Sequence, residues 1–88
     1  MNGIAYILHS FKTGRFYVGS TNNLSRRLEE HQKGKTKYTR ETGPYELVFS
    51  QRYESLTEAR KIESWLKAQK SSEFLERIIR EGRIEKKF

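Results

Sequence analysis

The chain has 88 residues, with 18 Lys and Arg against 11 acidic residues, a formal net charge of +7 and no cysteine. That length supports one domain around a single modest core, and a chain with no Cys and only His9 and His31 has neither a disulfide framework nor a thiolate or histidine-built zinc site. The excess of cations favours a polyanionic partner, because Lys and Arg displace counterions condensed on phosphates. No apolar run is long enough for a membrane helix, and the N-terminus lacks a signal-peptide pattern, so no membrane association and a cytoplasmic location are expected.

Residues 4 to 9, Ile-Ala-Tyr-Ile-Leu-His, are short, apolar and rich in strand formers, as a central strand covered on both faces requires. Lys12-Thr13-Gly14-Arg15 supplies a turn, and residues 16 to 20 return as a second strand. With Thr13-Gly14 as a two-residue turn, Ser10 would oppose Tyr17, and Tyr6 would share a face with Tyr17 but lie further along. A bulge or a longer loop would bring the two phenols together, and the sequence leaves that register open. Tyr17 and Gly19 share a strand face at i, i+2, and the glycine leaves room for a ligand's backbone.

Asn22 and Asn23 are good N-caps, and Leu24, Arg27, Leu28 and His31 recur at helical spacing until Gly34, which predicts a helix over about 23–33. Its Arg27 and His31 stand one turn apart on one face, a layout suited to holding a phosphate. Lys35, Lys37, Tyr38, Thr39 and Arg40 form a basic loop ending at Gly43-Pro44. It reads either as a solvated connector or as a phosphate-tracking segment in which Tyr38 stacks on a base or sugar. Residues 45 to 53 alternate and are rich in aromatics, which predicts a third strand. Ser55 with Glu58 resembles a capping box, and Ala59, Ile62 and Leu66 follow helical spacing. Ser71 or Ser72 caps a last helix with Phe74, Leu75, Ile78 and Ile79 as its apolar stripe and Gly82 as its end. The expected architecture is α+β, a three-stranded antiparallel sheet flanked by three helices in the order β-β-α-β-α-α. It forms one domain over 1–82, followed by a basic tail, 83–88, that is expected to fray.

All 11 acidic residues are Glu, which argues against a cluster of convergent carboxylates and leaves one ion on one Glu as the simplest metal arrangement. Each candidate also has an ordinary structural role. Strand tyrosines are usually core or rim aromatics, Arg27 can pair with Glu30 or Glu63, His31 can complement a helix dipole, and Glu63 with Lys67 makes a common i, i+4 pair.

Taken in order, Ile4-Ala5-Tyr6, Tyr17-Val18-Gly19, Arg27, His31 and Glu63 resemble the signature of the GIY-YIG nuclease family. Lys37-Tyr38-Thr39-Arg40, Pro44 and Ala59-x-x-x-Glu63-x-x-x-Lys67 are similar to its small standalone members. Two features depart from the pattern. Ile4 replaces the glycine of the first motif, and no asparagine follows Asn23, where many members carry one near the end of the domain.

The resemblance implies cleavage of DNA phosphodiesters, with RNA as an alternative substrate, dependent on Mg2+ or Mn2+ held by Glu63. Arg27 would stabilise charge on the phosphoryl group. Tyr6 and Tyr17 are both candidates for the base, with Tyr6 ahead and Tyr17 then the phosphate-positioning hydroxyl, and water can also lose its proton without either. A free tyrosine needs its pKa lowered by roughly three units, about 4 kcal/mol, to act at neutral pH. Catalytic candidates are therefore Tyr6, Tyr17, Arg27, His31 and Glu63. Nucleic-acid contacts are expected at Gly19, Lys35, Lys37, Tyr38, Thr39 and Arg40. A core of this size without an added DNA-binding domain implies weak sequence preference, branched or flapped substrates, and delivery by a partner protein. A non-catalytic basic binding module is the competing reading.

Overall fold

The apolar run near the N-terminus becomes β1 (Gly3–Ser10), flanked on one side by β2 (Phe16–Thr21) and on the other by β3 (Tyr45–Tyr53), both antiparallel to it. The computed structural model describes residues 2–33 and 43–86. Three helices follow the expected order: α1 (Leu24–Gln32), α2 (Leu56–Ala68) and α3 (Ser72–Glu81). Their starts are fixed locally, because the side chains of Asn23, Ser55 and Ser71 accept the backbone N–H groups of Arg26, Glu58 and Phe74. Gly82 closes α3 at φ 74°, a left-handed conformation that glycine adopts without strain.

Strand alternation splits the core in two. Ala5 and Ile7 face α2 and α3, where they pack with Phe49, Ile62, Leu66, Ile78 and Ile84. Tyr6 and Leu8 face the other way and pack with Tyr45 under Leu24 and Leu28 of α1. A bulge makes the second cluster possible. Ile7 pairs with Phe49 but Leu8 pairs with Leu47, so Val48 is an extra residue, and Tyr45 and Phe49 point to opposite faces.

The hairpin differs from a two-residue turn. Ser10 N donates to Arg15 O, and Tyr17 opposes Leu8 rather than Ser10, so the loop spans four residues. The Ser10 hydroxyl and carbonyl accept Thr13 N and Gly14 N, and these local bonds favour the wider turn. Beyond α3 the chain docks instead of fraying at once. Ile84 is buried, its N–H donates to Gln51 Oε1 at 2.8 Å and its carbonyl accepts Gln51 Nε2 at 3.1 Å.

Candidate active site

Gly19 lies opposite Tyr6 across the β1–β2 pair. A Cβ on residue 19 would fall on the phenol Oη and Cζ of Tyr6, so the missing side chain is what lets that ring lie over β2. The space at Gly19, expected to admit a substrate backbone, is filled in the structure by the Tyr6 ring, and Gly19 is buried.

At the end of β2, Thr21 Oγ1 accepts Asn23 N at 3.1 Å, which turns the chain directly into the capped start of α1. One turn in, Arg27 Nε donates to Tyr6 Oη at 3.3 Å, and Arg27 Nη1 is 4.0 Å from Glu30 Oε2. The hydrogen bond to Tyr6 is the main reason Arg27 holds its proton more firmly than an ordinary arginine. A further turn along, the His31 ring meets the edge of Tyr45 at 5.4 Å, and Tyr45 in turn meets Tyr17 at 5.4 Å. The Nδ1 of His31 is buried without a hydrogen-bond partner among the described residues. Burial, followed by the neighbouring Arg27 charge, pushes the imidazole below its usual pKa, while Glu30 opposes the shift.

The carboxylate arrives from the other side of the sheet. Ser20 faces away from Tyr17 and Gly19, towards α2, and its hydroxyl donates to Glu63 Oε1 at 2.5 Å, a length ordinary for O–H donation to a carboxylate. Lys67 Nζ donates to Glu63 Oε2 at 2.7 Å. Tyr6, Tyr17, Arg27, His31, Glu63 and Lys67 line one depression of about 210 Å³, which wraps round the β2 edge from one helical layer to the other. The structure thus brings together all five residues that the sequence singles out for chemistry. Lys35, Lys37, Tyr38, Thr39 and Arg40 lie outside the described residues.

Ser20 and Tyr45 were not among the sequence candidates. Ser20 had a signal, being the polar residue on a β2 face otherwise formed by Phe16 and Val18. Tyr45 had none, since only the bulge turns it towards the site.

The donor set suits a hard cation that keeps most of its waters. Glu63 offers carboxylate oxygen at the rim, its side chain 22% exposed, and no group of three or more His, Cys, Asp or Glu capable of holding a metal occurs among the described residues. One carboxylate plus waters and substrate phosphate oxygens is a normal Mg2+ arrangement, in contrast to an all-protein cage. A cation taking Oε2 would exchange with the Lys67 ammonium.

A family model described as the GIY-YIG catalytic domain matches residues 2–77. Among individual proteins, the chain is 43% identical to the UPF0213 protein BH0048 of Halalkalibacterium halodurans over 60 residues, 67% of this chain and 63% of that one. It is 39% identical to a UPF0213 protein of Streptococcus pneumoniae over 66 residues, 74% of this chain and 66% of that one. In both cases the match spans just under two thirds of the relative's length. The solution NMR structure of BH0048 superposes with a TM-score of 0.59 at 35% identity, covering 93% of this chain and 87% of that one.

Proposed function

Because the chain belongs to the GIY-YIG nuclease family, we propose that it is a cytoplasmic endonuclease that hydrolyses DNA phosphodiester bonds with one divalent cation, Mg2+ or Mn2+, on Glu63. The observation that carries this reading is the meeting of a guanidinium from α1 and a carboxylate from α2 at one strand edge, with two phenols between them. Arg27 has a planar donor fork for phosphate oxygens, and its Nε already orients Tyr6. Tyr6 Oη, oriented by Arg27, is the base: having given up its own proton, it takes one from the attacking water as the new P–O bond forms and the leaving oxygen departs, and Tyr17 positions the phosphate. His31, packed against Tyr45 and kept neutral at pH 7 by burial and Arg27, presents an imidazole to the phosphate or a phenol without adding a second charge. Ser20 fixes one oxygen of Glu63 and so fixes where the other points. When bound, the cation supplies Lewis-acid stabilisation of the phosphate and of the leaving oxygen.

Branched, flapped or damaged DNA of the kind met in repair or recombination is the expected substrate, brought by a partner protein. One observation favours the competing reading, a binding module without cleavage: both Glu63 oxygens are already engaged, by Ser20 and Lys67.

The test incubates the protein with supercoiled, single-stranded and branched DNA, with and without Mg2+ or Mn2+. Cation-dependent cleavage is expected, abolished by Glu63→Gln with DNA affinity kept or raised. Arg27→Ala is expected to cut turnover at least about a hundredfold, the scale for losing one donor to a developing oxyanion. DNA binding without cleavage under every condition would favour the binding module, and wild-type cleavage by Glu63→Gln would remove that carboxylate from the chemistry.

A further inference from the structure

A second groove, about 710 Å³, runs from the β1–β2 loop to the junction of α2 and α3 and shares Tyr17, Val18 and Lys67 with the candidate active site. Arg15, Lys67 and Lys70 line it, along with Ser72 from the first turn of α3, and among the described residues no acidic one does. Neither Arg15 nor Lys70 forms an ion pair with a carboxylate among the described residues.

The opposite flank of the site is electrostatically different. There Arg26, Arg27 and Lys33 share a depression with Glu29 and Glu30, and each cation has one of those carboxylates within 4.0 Å. Lys70 is notable in a second way. Its φ of 48° lies in the left-handed region, where glycine would be free of strain, yet the position carries a cation that lines the groove.

We infer that a DNA strand leaving the cleavage pocket runs along the β2 edge through this groove, its phosphates contacted by Arg15 and Lys70. The inference rests on the nuclease reading and adds to it the side on which the flanking strand lies. Charge complementarity selects the side, because unpaired cations gain a phosphate without giving up a carboxylate, whereas those on α1 exchange one anion for another.

The experiment measures binding of a fluorescein-labelled oligothymidylate by anisotropy across a salt series, in EDTA so that the strand stays intact. Arg15→Gln with Lys70→Gly is compared with Arg26→Gln with Lys33→Gln, two variants that each remove two positive charges. The groove variant is expected to bind several-fold more weakly, with a log–log salt slope shallower by about 1.4, some 0.7 for each lost contact to a single strand. Its melting temperature should be unchanged or higher, because glycine relieves residue 70. The α1 variant should lose less of the slope.

A wild-type slope in the groove variant overturns the assignment while leaving the nuclease reading intact. An equal or larger loss in the α1 variant also overturns it, since it puts the strand on the other flank. Failure of the wild-type protein to bind the oligothymidylate at all overturns the groove assignment, while the nuclease reading is decided separately by the cleavage test on supercoiled and branched DNA.

Discussion

Tyr6 is held by two residues far from it in the chain, Gly19 under its ring and Arg27 on its oxygen. Gly19→Ala therefore places a methyl against the phenol within a buried strand pair, an overpacking with an expected cost of about 1–3 kcal/mol. Denaturant unfolding reads the loss, and on the proposed chemistry cleavage should fall with it because the ring must leave Arg27. A midpoint equal to wild type would mean that the ring moves freely. His31 makes stability depend on pH. Its folded pKa lies below the unfolded value near 6.5, so the unfolded chain takes up the proton first as pH drops. The contribution is complete above pH 6.5 and is lost as pH falls through the folded pKa. Melting temperature should drop over that window in the wild type and drop less in His31→Gln, and parallel curves would show that the imidazole titrates freely.

At the scale of elements, features set by neighbours in sequence were legible and those set by distant ones were not. Asn23, Ser55, Ser71 and Gly82 mark helix ends because capping involves residues only a few positions apart. The hairpin register turned on whether Ser10 would bond within its own loop, which strand periodicity does not encode. The bulge at Val48 hid the facing of Tyr45, and the Ser20 to Glu63 bond joins residues 43 apart. The expected frayed tail fails for the same reason. Ile84 has the sequence context of a loose end, but the side-chain amide of Gln51 receives its backbone on both sides. Deleting 83–88 should uncover the groups packed on Ile84 and leave Gln51 unpaired, lowering stability by about 2 kcal/mol, the value of burying one such side chain. A lower urea midpoint at a similar slope is the expected result. An unchanged midpoint would mean that the docking contributes nothing.

Across the whole molecule the two helical layers are unequally anchored. The layer of α2 and α3 buries Ala59, Ile62, Leu66 and Ile78, whereas α1 has no fully buried residue and rests on the smaller cluster through Leu24 and Leu28. Regions with few buried apolar contacts open at lower free energy than the global transition. On the proposed chemistry, α1 carries Arg27 and His31 while α2 carries Glu63, so the working pocket exists only while the weaker layer stays in place. Warming should therefore silence turnover several degrees before the circular-dichroism melt begins, with full recovery on cooling because the main core has not come apart. An enzyme tuned for hotter conditions would then be reached by adding apolar bulk beneath the first helix rather than by reinforcing the larger core.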